Sequence, residues 1–267
     1  MTEHKIIFAD SRQMTQIADA SVQLVVTGVP AMDQSLPDAD EAFRDYAGRL
    51  DQVWKECARV LAEGCRMCIL AADPVTRTAD YGRYKVFPLR MEILKACEAL
   101  GLDYMGSVIR QKKTDVNIAG DAAALGSYLY PRNGVLKNDL DVILVFKKPG
   151  EGPRPQPDQK EAARLSKEEW NQYFSSHWYV PDEERMNAAD AFPEEVARRL
   201  IRMFSFPGET VLDPFAGSGM TALAARHLER DSIGFVQDRR LRSVIARRLI
   251  DPQISLFGPD CEVEFIE

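Results

Sequence analysis

Long hydrophobic runs are missing from this chain of 267 residues. The longest, such as Val142-Ile143-Leu144-Val145-Phe146, fall far short of the roughly 20 apolar residues that cross a bilayer, so no membrane partner is expected. The polar start MTEHK carries no signal-peptide pattern, and a cytoplasmic location is the expectation. Cysteine and histidine are scarce, with five and three residues respectively. Cys65 and Cys68 make one Cys-x-x-Cys pair, but no second pair or nearby histidine cluster completes a zinc site, so no metal is expected. The pair falls in CRMCIL, which reads as a strand, and buried reduced thiols are the favoured account. Net positive charge is also lacking: the formal charge is −7. That argues against a protein that coats nucleic acid through a general field. Local patches remain, at Arg110, Lys112 and Lys113, at Lys147 and Lys148, and at Arg239, Arg240, Arg242, Arg247 and Arg248, with solvated surface charge as the plainer reading of most. No internal repeat or strong low-complexity tract is present.

What is present is a globular composition, 45% hydrophobic, able to bury a substantial core. The pattern alternates. A strand (KIIFA, from residue 5), a turn at Asp10-Ser11 and a second strand (VQLVVT) lead to residues 39–62, where Phe43, Tyr46, Leu50, Val53, Trp54 and Cys57 recur at helical spacing. Gly64 reads as the end of that helix. A strand (RMCILAA), a helix from about 88 to 100, a strand near YMGSVIRQ, a glycine-rich loop at 119–138 and the strand DVILVFKK follow. Residues 149–160 hold four prolines and read as a linker, succeeded by a short helical or irregular insert to about 188. A helix (193–204), the strand ETVLDPF, a glycine turn, a helix (221–229), the strand SIGFVQ and a helix (240–249) close the pattern. The expected fold is α/β, a mostly parallel, doubly wound sheet covered on both faces.

Strand, glycine turn, helix is the geometry of a nucleotide-binding crevice. In DPFAGSGMTA, Gly217 and Gly219 allow close backbone approach and Ala222 allows tight helix packing. As a bare Gly-x-Gly-x-x-Ala the signal is weak. Asp238, 21 residues beyond Gly217, suits the ribose-binding acid of a nicotinamide site. Asp213, however, precedes the turn where a pyrophosphate would need donors, and its carboxylate repels that ligand. The same carboxylate suits a cationic ligand without phosphate, such as S-adenosylmethionine (SAM). No lysine follows the glycines, which removes the P-loop reading. A turn that serves packing alone stays open.

The block FPEEVARRLIRMFSFPGETVLDPFAGSGMTALAA (192–225) resembles the cofactor-binding block of the amino-group DNA methyltransferases of the permuted β class, with Met220 where threonine is usual. GSYLYPRNGVLKNDLDVILVFKKPG (126–150) is similar to the segment that closes that family's catalytic half. The resemblance runs from Lys5 to about Leu249 and includes the order of parts. It implies a SAM-dependent methyltransferase, Rossmann-like fold with circularly permuted motif order. It also implies one domain over 1–250: a catalytic half (1–150), a linker and variable insert (151–188) that could recognise the target, and a SAM-binding half (189–250), with 251–267 as a tail. By the same resemblance Asp10, Phe192, Pro193, Asp213, Pro214, Phe215, Gly217, Ser218 and Gly219 line the SAM site, with Asp238 on the ribose side. Thr27, Gly28, Val29 and Pro30 hold the place of the catalytic loop.

Two departures stand out. The family's loop is Ser, Asn or Asp followed by Pro-Pro and an aromatic; here the run is Gly28-Val29-Pro30-Ala31. In family logic the first side chain and the next carbonyl orient the target amine, while the aromatic stacks on the flipped base. Gly28 offers no side-chain acceptor and Ala31 no stacking face; backbone carbonyls, Thr27 and Asp33 are the substitutes at hand. Second, Val236 occupies the place of the family's ribose-binding acid, and Asp238 could act from the strand end. The resemblance therefore implies a site-specific DNA methyltransferase acting on the exocyclic amine of adenine or cytosine in double-stranded DNA. The alternative is a catalytically impaired methyltransferase-like subunit that binds DNA or supports an active partner chain. A homodimer or a heteromeric methyltransferase partner is open. Trp170, Tyr173, Phe174, Trp178 and Tyr179 in the insert are read either as base-contacting aromatics or, more plainly, as helical core packing.

Overall fold

A computed structural model describes residues 1–33, 37–76, 78–112, 132, 136, 139–181, 192–250 and 260–267. Its elements in chain order are β1 (Thr2–Ile7), β2 (Val22–Gly28), α1 (Ala39–Val60), β3 (Leu61–Ala71), β4 (Val75–Thr76), α2 (Thr78–Tyr81), β5 (Lys85–Val86), α3 (Leu89–Ala99), β6 (Asp103–Gln111) and β7 (Leu140–Lys147). Then come α4 (Pro157–Ala162), α5 (Lys167–Tyr173), β8 (His177–Tyr179), α6 (Glu194–Phe204), β9 (Thr210–Asp213), α7 (Met220–His227), β10 (Asp231–Phe235), a 3-10 turn (Arg239–Leu241), α8 (Arg242–Ile250) and β11 (Cys261–Ile266).

The strands form a nine-stranded sheet in the order β11-β1-β10-β9-β2-β3-β7-β6-β8. From β11 to β3 every pairing is parallel; β7 runs antiparallel to β3 and β6, and β8 is parallel to β6. The fold is therefore α/β with a mostly parallel sheet, as the alternating pattern anticipates. Strand side chains divide between the faces with period two. Met67, Ile69, Val142, Leu144 and Phe146 join the core under α1 and α3, whereas Cys68, Leu70, Ile143 and Val145 join the one under α6 and α7. Burial on both faces is why these strands read as unbroken apolar runs.

The sheet interleaves the chain: β9 and β10 sit between β1 and β2. The C-terminal ends of β1, β2, β9 and β10 thus lie side by side at one edge, and the loops that follow them must meet there.

Three expectations are corrected. The helix beginning at 39 is capped by the Asp38 carboxylate, which accepts from the Asp40 and Glu41 amides, but it stops at Val60 rather than Gly64. Gly64 lies inside β3 with φ of +72°, where a Cβ would collide with the Gly152 backbone. The linker from 149 is extended only to Gln156, after which α4 begins. The stretch read as a tail supplies β11, an edge strand paired with β1 from Thr2 to Ile7; residues 251–259 lie outside the described residues. The glycine-rich loop at 119–138 also falls outside them, apart from Arg132 and Leu136, as does residue 113.

Candidate active site

A cavity of about 660 Å³ opens where those strand ends converge. Phe8, Ala9, Asp10, Ser11 and Arg12 reach it from the end of β1, and Pro30, Ala31 and Asp33 from the end of β2. The β9 turn contributes Pro214, Phe215 and Gly217, and the end of β10 contributes Phe235, Val236, Gln237 and Asp238. Helix α1 closes one wall with Tyr46, Arg49, Leu50 and Val53. The helical spacing reads Tyr46, Leu50 and Val53 as core only; the signal that could place them here is that α1 follows directly on the β2 loop. Sequence reasoning misses Phe8, Ala9 and Gln237 as well, although the rule that ligands bind beyond the ends of parallel strands points to them.

The glycine turn has the backbone that the sequence asks for. Gly217 and Gly219 have φ of 50° and 87°, and a Cβ at Gly219 would press to 3.2 Å on Ile245 of α8. Gly217 faces the cavity, whereas Ser218 is buried, its carbonyl and hydroxyl both taken by the Arg248 guanidinium.

Asp213 is 3% exposed and is not among the residues that line the cavity. Its Oδ1 accepts from the Thr27 hydroxyl at 2.6 Å and from the Phe215 amide at 3.0 Å. Its Oδ2 accepts from the Thr221 hydroxyl at 2.5 Å. Burial pushes this carboxyl up to about 6, against the lowering effect of those donors. Thr27 is fully buried, and its hydroxyl proton is given to Asp213.

The loop after β2 is held as firmly. The Val29 amide donates to the Leu70 carbonyl at 3.0 Å, and the Tyr46 hydroxyl donates to the Pro30 carbonyl at 2.6 Å. Gly28 packs under Phe192, so that a Cβ there would meet Phe192 Cδ2 at 3.0 Å. Phe192 is buried, and Pro193 sits at the N-cap of α6. Of the residues expected at the site, Asp10, Pro30, Pro214, Phe215, Gly217 and Asp238 share the cavity wall. Thr27, Gly28, Val29, Phe192, Pro193, Asp213, Ser218 and Gly219 do not line it.

Both outer acids carry an arginine two residues on. Asp10 accepts from the Arg12 amide and guanidinium, and Asp238 from those of Arg240. These partners hold both carboxyls below their usual range. Behind Phe215 lies Trp54, whose ring meets it edge to face at 6.0 Å. The Trp54 indole N–H is buried with no hydrogen-bond partner among the described residues.

The donor set fits SAM. Phe8, Phe215, Phe235, Val236 and Leu241 give apolar walls for a flat purine, Gly217 gives close backbone approach, and the acids Asp10 and Asp238 suit ribose hydroxyls or an ammonium. The volume lies in the range of small-ligand pockets.

The basic patches fare differently. Arg110 is 1% exposed, donating to Asp141 Oδ2 at 2.9 Å and to the Val180 carbonyl, and Lys112 pairs with the other Asp141 oxygen at 2.8 Å. Burial in a β6–β7 ion pair, not solvent, is the destination of this patch; Lys113 lies outside the described residues. Lys148 Nζ donates to the carbonyls of Ala58 and Leu61, where α1 gives way to β3. Arg239 and Arg242 pair with Glu267. In the insert, Tyr173 and Trp178 are core, with Arg199 over both rings, while Trp170, Phe174 and Tyr179 are exposed. Cys57, Cys68 and Cys97 are buried free thiols, and burial raises Cys65 to about 11.

An open, mostly parallel α/β sheet with a small-molecule cavity beyond its strand ends, a glycine turn on one wall and a Pro-containing loop on another, defines a nucleotide-cofactor enzyme architecture. The DNA methylase model of the N6/N4 methyltransferases matches residues 22–247, and the chain belongs to that family. It is 34% identical to the type II methyltransferase M.MjaI of Methanocaldococcus jannaschii, over 99% of this chain and 97% of that protein. Its fold matches the Thermus thermophilus protein TTHA0409, a putative DNA modification methylase solved as a complex with S-adenosyl-L-methionine, with a TM-score of 0.82 and 31% identity over 99% and 98% of the two chains. The cytosine-N4-specific PvuII DNA methyltransferase shares the fold at a TM-score of 0.68 and 15% identity, covering 98% and 96% of the chains.

Proposed function

We propose that this chain binds SAM in the cavity beyond β1, β9 and β10 and transfers its methyl group to the exocyclic amine of adenine or cytosine in double-stranded DNA. One observation carries the reading: Pro30 and Ala31 of the β2 loop line the same cavity as Phe215, Gly217 and Asp238. SAM, when bound, supplies an electrophilic methyl group on a sulfonium. The chain's own part is to position it. Phe215 and Gly217 define the wall nearest the glycine turn, Asp10 and Asp238 offer acceptors at the outer rim, and Pro30 and Ala31 give the wall past which an incoming amine would be oriented. The test is transfer of tritiated methyl from SAM to mixed-sequence duplex DNA, followed by nucleoside analysis. Labelled N6-methyladenine or N4-methylcytosine supports the reading; SAM binding with no label in any nucleoside overturns it.

A second reading has its own support. Three polar groups at this loop are already committed: the Thr27 hydroxyl to Asp213, the Val29 amide to Leu70 and the Pro30 carbonyl to Tyr46. Gly28 has no side chain to substitute for them. On this reading the chain is a methyltransferase-like subunit that holds SAM or DNA for an active partner chain, and the same assay reads SAM binding without transfer until that partner is added.

A further inference from the structure

We infer that Asp213 is a positioning residue: one buried carboxylate joins the β2 loop to the glycine turn and fixes the distance between them. The inference rests on the cavity being a SAM-dependent site. It assigns Asp213 a role different from a direct contact with the cationic end of the cofactor.

The carboxylate receives three donors from three segments. Thr27 is the penultimate residue of β2, just before the Gly28–Ala31 run; Phe215 N–H belongs to the turn; Thr221 lies in the first turn of α7. Thr27 and Asp213 are 186 residues apart in the chain. The β2–β9 pairing that brings them together is short, with only Leu24–Val211 and Val25–Leu212 in register. Past that register the Thr27–Asp213 bond continues the connection between the two strands to the cavity edge. Gly219, N-cap of α7, offers no side chain to its helix, and the Thr221–Asp213 bond ties the first turn of α7 to the end of β9. A hydrogen bond to a charged, buried acceptor is among the stronger ones.

The groups facing this carboxylate are Thr27 from β2, Phe215 N–H from the turn, Thr221 from α7 and the Cys57 thiol from α1, which burial raises, with smaller contributions from Cys97 and Asp213. Burial raises the acid to about 6, and no cation among the described groups facing it offsets that burial. The joint is therefore made by hydroxyl and amide donors.

Two arms of the joint can be cut separately in the full-length chain. Thr27→Val keeps the shape and removes the loop arm; turnover should fall about 10-fold, the size of one such bond, with SAM affinity by calorimetry within about 3-fold. Thr27→Ser, which keeps the hydroxyl, should restore turnover. Thr221→Val cuts the turn arm and should weaken SAM affinity about 10-fold. If Thr27→Val turns over like the parent, or if both variants lose turnover and affinity in parallel with a lowered Tm, Asp213 is a fold element only and the inference is overturned. If the parent transfers no methyl group, the proposed function fails by itself. The calorimetric arm then still decides the joint: a weakened Thr221→Val beside an unaffected Thr27→Val supports it, and equal SAM affinity in both overturns it.

Discussion

The Tyr46 hydroxyl donates a 2.6 Å hydrogen bond to the Pro30 carbonyl, from the second turn of α1 to the loop that ends β2. Burial drives the phenol well above its ordinary range, so it remains a donor at any working pH. Tyr46→Phe removes the donor and keeps the ring; denaturant unfolding should register a loss of about 1 kcal/mol. The carbonyl that follows Gly28 is Val29's, so freeing the Pro30 carbonyl supplies no new acceptor at that place and only loosens the loop. Methyl transfer in this variant should fall with SAM affinity intact; transfer equal to the parent's would mean that the Tyr46 bond serves stability alone.

Restoring the family's loop by substitution meets two obstacles. A side chain at position 28 must displace Phe192, since its Cβ would lie 3.0 Å from Cδ2, and proline at 29 removes the amide bonded to Leu70. Gly28→Ser should cost about 1–2 kcal/mol, as overpacking does. Pairing it with Phe192→Leu should recover most of that in the same melt, and failure to recover would place the strain elsewhere.

Stability against pH carries two opposed contributions. His4 is buried within hydrogen-bond distance of Thr2 and Ser232, and burial, reinforced by the charge of Arg226, depresses it to about 4. Its contribution is present above the ordinary histidine value near 6.5 and is lost as pH falls through 4. Asp213, raised to about 6, has the opposite sign: its contribution is complete below its ordinary value near 3.8 and is lost as pH rises through 6. Asp213→Asn should therefore make stability fall more steeply between about pH 6 and pH 4 than in the parent, whereas His4→Asn should flatten that limb. Parallel curves for parent and Asp213→Asn would contradict the assignment.

Arg110 is expected to matter for folding rather than for DNA. Arg110→Gln leaves Asp141 buried without one of the two cations that pair with it among the described residues, and a loss of about 3–5 kcal/mol is the usual scale for a broken buried pair. Anisotropy with a labelled duplex, corrected for the folded fraction, should show unchanged affinity. A selective loss of DNA binding with a parental Tm would return Arg110 to the surface role.

Removing residues 261–267 should destabilise the chain. The cut exposes the outer edge of β1 and frees Arg239 and Arg242 from Glu267. Aggregation at an unpaired edge is the expected symptom, visible by light scattering on mild heating. A truncated chain that melts like the parent and stays clear would make β11 dispensable.

What could be read in the sequence was local. Strands such as Leu140–Lys147 announce themselves through apolar runs, and the Gly217–Gly219 turn through residues that tolerate positive φ. What could not be read depends on partners far away in the chain. Asp213 looks like a ligand-facing acid until Thr27 and Thr221 are seen to occupy it. Arg110 looks like a surface cation until Asp141 is seen beside it, on the neighbouring strand. Gly64 looks like a helix stop because nothing nearby in sequence reveals the Gly152 backbone packed against it. β11 lacked a signal for the same reason, its parallel partner being the first strand of the chain.

The arginines two residues beyond Asp10 and Asp238 give the crevice an unusual kind of doorway. Each rim carboxylate already holds a guanidinium on its own loop, at 2.5 Å for Arg12 and 2.8 Å for Arg240. A ligand hydroxyl or ammonium arriving there does not meet a bare acid; it meets a tethered rival that never diffuses away. Were either acid to bind the ligand, the newcomer would compete there with an arginine already in place, and the net gain from the acid would be smaller than its charge suggests. In the proposed SAM site the apolar walls and the glycine turn would then supply most of the grip, with the two acids favouring ligands that can compete with a neighbour already in hand.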